Sequence, residues 1–287
     1  MDSLTVVTAN TTPSTAIPIA EAIFRWLHII AGITWIGLLY FFNFINGHLA
    51  ATYDADSKKK VVPELMPRAL YWFRWGAAWT WFTGVALLFL VFYFGGLMPS
   101  DFTSSTDTFG DKVPANMWIH ISLLLTFIMV FAYDFFYKSS LGKNTRVATI
   151  ISYTVIGGFI YLMSCCAGMD YRAYNIHIGA MFGTIMAFNV WFRIWPAQQR
   201  IITAIKDGEA PSADDVGLAG LRSKHNTYMS VPLIWTMINY HTGGAGFDMI
   251  EVFGYKVNGQ VWLLIFIALG WHLVFQLYKK SAKIKGF

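Results

Sequence analysis

Histidine is the residue type best placed to do chemistry in this 287-residue chain, which holds seven of them. His28, His120, His177 and His241 each lie near the same end of a different long apolar segment. His272 lies deeper in a further one, and His48 and His225 sit near the opposite, lysine-rich ends. An ionisable side chain inside a bilayer is costly unless it is paired or ligated. Neutral imidazoles projecting from facing helices are the usual axial ligands of haem iron in a helical bundle. A porphyrin also needs helix faces of small residues. His28 has Gly32 four residues on, and His177 has Ala180, Gly183 and Thr184 along its face. His120 stands beside the bulkier Leu123 and Leu124, and His272 beside Ala268 and Gln276. The pattern points to haem b, one or two per chain. His28 and His177 would hold the iron, and His120, His241 or His272 would serve a second site. Arg25, three residues before His28, suits a haem propionate or an anionic substrate, although a long cationic side chain here also suits snorkelling to the surface.

These residues have simpler readings as well. Histidines are common at membrane interfaces, and small residues at these spacings also serve plain helix packing. A metal ion at the four-histidine end would want a carboxylate nearby, for which Asp170 and Glu21 are the candidates. Arg74 lies among Tyr71, Trp72, Trp75 and Trp79, where it could stack on an anionic ring or act as an interfacial anchor. Asp134 and Lys138 stand four apart, a structural pair on one helix face. Cys165 and Cys166 are adjacent, so they rarely bridge each other, and they read as small packing residues. No Cys-x-x-Cys-His occurs, so the chain carries no site for a covalently attached c-type haem.

The elements that would position these groups are membrane helices. Hydrophobic residues make up 56% of the chain and charged residues only 13%, about half the charged fraction of a soluble domain. The apolar residues fall in blocks of about 20, the length that crosses a bilayer core. The blocks run roughly over 19–44, 69–97, 115–137, 147–167, 174–195 (stopped by Pro196), 228–241 and 261–278. In lipid, backbone groups must be satisfied within the segment, which selects helices. The expected fold is an all-α integral membrane protein, a bundle of about seven transmembrane helices. Residues 1–17 form a flexible periplasmic tail and 18–287 one bundle with a cytoplasmic loop at about 193–227. Within that loop Ile201, Ile202 and Ile205 suggest a short amphipathic surface helix, and 209–220 a polar loop.

Orientation follows from the loops. Lys58, Lys59, Lys60, Arg68, Lys138, Lys143, Arg146, Arg193, Arg200, Lys206, Arg222, Lys224, Lys279, Lys280, Lys283 and Lys285 lie on one side. Only Lys112, Arg172 and Lys256 lie on the other. Basic loops stay in the cytoplasm, so the N-terminus is expected to be periplasmic and the C-terminus cytoplasmic. The net charge of +5 is explained by this asymmetry rather than by nucleic acid.

Two segments carry a resemblance. Phe24 to Gly47 (FRWLHIIAGITWIGLLYFFNFING) resembles the opening helix of the membrane-bound urate hydroxylase (urate oxidase N-terminal) family, and Ser223 to His241 (SKHNTYMSVPLIWTMINYH) resembles its second signature. The His28 to Trp35 pattern is also loosely similar to membrane haem proteins such as bacterial protoporphyrinogen oxidases. The resemblance implies a protein of the bacterial inner membrane that hydroxylates urate, or a similar anionic purine, to 5-hydroxyisourate and passes electrons to a c-type cytochrome. Family members usually carry that cytochrome after the membrane part. Here the chain stops at Phe287 on the cytoplasmic side, so the cytochrome partner is expected to be a separate protein. The turn His225, Asn226, Thr227 and Tyr228, with Arg74, or the group around Arg25, would bind the purine. Two alternatives are a non-catalytic haem-b subunit carrying electrons among other redox subunits, and a cofactor-free transporter or anchor.

Overall fold

A computed structural model describes residues 16–99, 105–106, 112–113, 116–239, 249–252 and 255–286. In chain order the helices are α1 (Ala16–Tyr40), α2 (Gly47–Ala50), α3 (Ala55–Leu87), α4 (Met117–Phe136), α5 (Ser140–Lys143), α6 (Thr145–Tyr161), α7 (Tyr171–Asn189), α8 (Trp195–Asp207), α9 (Ala213–Asn239) and α10 (Gly259–Ser281). Two short antiparallel hairpins accompany them: β1 (Ser105–Thr106) with β2 (Lys112–Val113), and β3 (Met249–Val252) with β4 (Tyr255–Asn258). The chain is an all-α, multi-pass membrane protein. Among the described residues, six continuous stretches are long and apolar enough to cross a bilayer: Ala16–Ala50, Ala55–Tyr93, Met117–Phe136, Thr145–Cys166, Tyr171–Asp207 and Gly259–Ser281. A seventh long helix, α9, has Asp214, Asp215, Arg222 and Lys224 in its first half, which keeps it out of that set.

The expected elements are present, several of them with longer bounds. The first helix starts at Ala16, so Pro18 falls in its opening turn, where a missing N–H costs little. The tail proper, 1–15, lies outside the described residues. Asp54 caps α3 by accepting from the Ser57 N–H at 2.6 Å. The helix therefore begins fourteen residues before the expected 69, and runs through Pro63 and Pro67. Pro196 does not end the fifth span. A π-helical turn, Val190–Ile194, precedes it, and α8 continues with the proline in its first turn. The 3.6-residue ladder is already broken there, so the proline interrupts nothing further. Other π-helical turns occupy Phe41–Asn46, Leu88–Tyr93 and Leu162–Cys166.

The expected loop at 193–227 is mostly helix. Ile201, Ile202 and Ile205 are buried by α8 as the amphipathic pattern requires. The connection shrinks to Gly208, in a left-handed conformation at φ 82°, and the few residues after it. Asp214 and Asp215 open α9 where acidic residues favour the helix dipole. Arg200 binds the Asp215 carboxylate through two nitrogens and holds that carboxyl below its usual range. Cys165 and Cys166 are exposed rather than packed.

α1 packs on α3, α7 lies against α9 and α4, and α10 covers α9. Close approach of α7 and α9 depends on Gly179. A β-carbon there would collide with the Thr236 hydroxyl and stand 3.1 Å from Met237 Cε. Gly179→Ala is therefore expected to cost about 1–3 kcal/mol by overpacking. Thermal unfolding in detergent reads this as a lowered midpoint, and an unchanged midpoint would show that the two helices are not in this contact.

Candidate functional site

A cavity of about 900 Å³ lies among α1, α3, α7 and α9, within the size range of small-molecule and cofactor sites. Glycines from three helices form its walls: Gly32 and Gly37, Gly84, and Gly179 and Gly183. Ile29, Ile33 and Ile238 also line it and are exposed on the outer surface, so it opens toward the lipid-facing side. Its wall is overwhelmingly apolar, and Arg25, His28, Tyr40 and Trp35 are among its few polar groups.

The surroundings of His28 in this cavity favour one tautomer. Its Nδ1 lies 3.1 Å from Thr83 Oγ1. That hydroxyl spends its single proton on the Trp79 carbonyl at 2.6 Å, so Thr83 accepts and His28 Nδ1 donates. Nε2 keeps its lone pair, the form a metal-binding imidazole needs. Gly84 makes the room: a β-carbon there would stand 2.9 Å from His28 Cε1. Trp35, 1% exposed, also lines the cavity, and its Nε1 has no partner among the described residues. Arg25 pairs with Glu21 one turn earlier. A lone-pair histidine and an orphaned donor beside an apolar slot, with the Arg25–Glu21 pair at its rim, fit a flat cofactor.

The other described histidines do not converge on that slot. His177 is fully buried, but both of its nitrogens are engaged: Nδ1 donates to Ala173 O at 2.7 Å, and Nε2 accepts from Tyr93 Oη at 2.9 Å. It is absent from the cavity wall. His120 is exposed on α4, near its own Asn116 carbonyl. His272 is exposed on α10, where it accepts from Gln276 at 3.1 Å. The α4 and α10 periodicities point both away from the bundle interior, so among the described members of the expected layer His28 lies beside the cavity, His177 behind it and His120 outside it. His241 lies outside the described residues. His48 approaches Ser281 at the lysine-rich end. Asp170 caps α7 by accepting from the Ala173 N–H. Among the described residues no group of three or more His, Cys, Asp or Glu could hold a metal ion.

The expected purine-binding residues divide. Arg74 places its guanidinium 4.1 Å from the Trp195 ring and 5.3 Å from that of Trp191, so its stacking face is taken by the protein's own tryptophans. Thr227 bonds back to the Ser223 carbonyl, and Tyr228 stacks on Tyr278. His225 and Asn226 belong to a second polar centre, at the lysine-rich end. There Asp134 receives Arg193 through two nitrogens at 2.9 and 2.5 Å, Arg222 at 2.9 Å and Lys138 at 2.7 Å. Tyr133 Oη sits 2.8 Å from His225 Nδ1 and accepts from Asn189 at 2.9 Å, and Asn189 also donates to Asn226. Sequence reading recovered only the Asp134–Lys138 contact of this network. Arg193 and Arg222 looked like loop charges, and only their placement on helical turns brings them inward.

The two quoted segments meet in space. Asn43 donates to Ser223 Oγ at 2.8 Å, and Tyr40 lies 3.0 Å from Ser230. Neither any curated protein nor any solved structure matches the chain. The sequence model described as urate oxidase N-terminal matches residues 51–266, about three quarters of the chain, and takes in the second segment while starting just after the first. On that match, the chain belongs to the urate oxidase N-terminal family of membrane proteins.

Proposed function

We propose that the protein is a membrane oxidoreductase that hydroxylates urate, or a closely similar anionic purine, in the bacterial inner membrane, with its N-terminus periplasmic and its C-terminus cytoplasmic. The balance is urate plus water giving 5-hydroxyisourate, two protons and two electrons, with a c-type cytochrome taking the electrons one at a time. Family membership supports the substrate class, and the observation that carries the redox reading is His28 beside the glycine-walled cavity with its Nε2 lone pair available. Haem b, held there, would supply one-electron transfer between purine and cytochrome.

The chain's own contribution is positional. Thr83 fixes the His28 ring and keeps its proton on Nδ1. Arg25 offers a charge for an acidic edge, and Trp35 Nε1 a donor in a wall that excludes water. Haem set by His28 alone replaces the expected His28–His177 pair in this reading, because Tyr93 already occupies the His177 lone pair. Purified protein is expected to show a Soret band and to reduce two equivalents of a soluble c-type cytochrome per urate consumed. Absence of urate-dependent cytochrome reduction would sink the reading.

A further inference from the structure

α10, one of the membrane-crossing stretches, presents two opposite faces. Gly259, Leu263, Ile267, Gly270 and Val274 are buried against the bundle. Val261, Ile265, Ala268, His272 and Gln276 recur at spacings of three and four and are exposed. At about 100° per residue, His272 stands roughly 180° from the middle of the buried face. Its side chain therefore points away from the protein. It also lies deep. Lys279 is two helical turns further on, about 10 Å along the axis, and Gly259 is farther still on the other side. Water and headgroups are out of its reach.

Polar groups at that depth are costly unless they are hydrogen-bonded. Gln276 Nε2 lies 3.1 Å from His272 Nε2, which settles one group on each side chain. With Nε2 accepting, the ring proton sits on Nδ1. That N–H and the Gln276 Oε1 have no hydrogen bond among the described residues. Turning the amide over and moving the ring proton exchanges the roles and leaves the same balance. Either way the pair turns at least one donor and one acceptor toward hydrocarbon, and a lipid tail answers neither.

A second copy of the chain supplies what is missing. Two copies in one membrane share an orientation, so a two-fold axis along the bilayer normal brings equal depths together. A face carrying only donors, or a charge, would repel itself there. A face carrying a donor and an acceptor matches its own copy, ring N–H to carbonyl and carbonyl to ring N–H. The Gln276 amide already rises a helical turn to meet His272, which brings its oxygen near the depth of the imidazole in the other copy. Ala268, one turn above, is small enough for the two helices to approach closely. We infer that the exposed face of α10 is the contact between two copies of this protein, a parallel dimer joined by reciprocal His272–Gln276 hydrogen bonds. Lys279 continues the same face and ends the seam among the headgroups, where anionic lipid screens it. The contact requires neither haem nor purine.

The test is association in lipid. Full-length protein is reconstituted into phosphatidylcholine vesicles at falling protein-to-lipid ratios, and photobleaching steps of a C-terminal fluorophore count the copies per complex. The wild-type chain is expected to be dimeric. His272→Leu combined with Gln276→Leu should raise the dissociation constant about 10-fold or more. Both positions face lipid in the single copy, so the unfolding midpoint of the detergent-dispersed monomer should not fall, which separates lost pairing from lost folding. In a background of Cys165→Ser and Cys166→Ser, Ala268→Cys should couple two chains on oxidation. Leu273→Cys, exposed about 100° round the helix from His272, should not. A wild-type chain monomeric at every ratio, a dimer indifferent to the paired leucine substitutions, or coupling through Leu273→Cys in preference to Ala268→Cys would each overturn the contact. Coupling of Ala268→Cys in native membranes to a different protein alone would overturn the second copy as its occupant.

Discussion

Asp134→Ala is expected to destabilise the protein by about 3–5 kcal/mol, the penalty for leaving a buried charge without its partner. Arg222 would lose its carboxylate partner, and Arg193 its two-point contact. Three segments that are distant in sequence, α4, the π-helical turn before α8, and α9, are tied together by this one carboxylate. Lys138→Ala removes the exposed member and is expected to cost about 0.3–0.5 kcal/mol. Asp134→Leu combined with Arg222→Leu should recover much of the loss, because removing both buried charges together avoids the unpaired state. Thermal unfolding midpoints of the four proteins decide the matter. An Asp134→Ala variant no weaker than Lys138→Ala would show that the network contributes nothing to the fold.

The contrast between these two lysine and arginine contacts marks what the sequence could and could not disclose. Lys138 sits four residues from Asp134, and helical spacing alone pairs them. Arg193 and Arg222 are 59 and 88 residues away, and no local period encodes such a meeting. Their positions were further hidden by a wrong boundary, since Pro196 and the polar run 209–220 both look like helix breakers. In the fold the π-helical turn Val190–Ile194 absorbs the proline, and Asp214 and Asp215 serve as an acidic helix start. The helical character of the chain was legible because apolar blocks of membrane-crossing length admit no other backbone. The histidine layer was less so. Depth along a helix can be counted from the sequence, but azimuth depends on packing. Hence His28 and His177 point inward while His120 and His272 are exposed. The glycines were informative as a class. Their partners were not, since Gly84 accommodates the His28 ring and Gly179 the Thr236 side chain.

His28→Ala is expected to abolish cofactor retention, with loss of the Soret band and of urate-dependent cytochrome reduction together. The argument rests on one proton. With its hydrogen on Trp79 O, Thr83 accepts from His28, which favours the proton on Nδ1 and the lone pair on Nε2. Thr83→Val keeps the shape and removes that acceptor. The ring is then free to rotate and to change tautomer, and cofactor affinity should fall about 10–100-fold, as when the outer hydrogen-bond partner of a metal-bound histidine is lost. His177→Ala makes the opposite prediction. Its nitrogens serve Ala173 O and Tyr93 Oη, so its loss should lower the unfolding midpoint and leave the absorbance per folded chain unchanged. Haem content by pyridine haemochrome, set against the folded fraction, separates the three variants. If His177→Ala empties the protein of haem while His28→Ala keeps it, the iron belongs on the far side of the Tyr93 contact, and the glycine-walled cavity must serve something else.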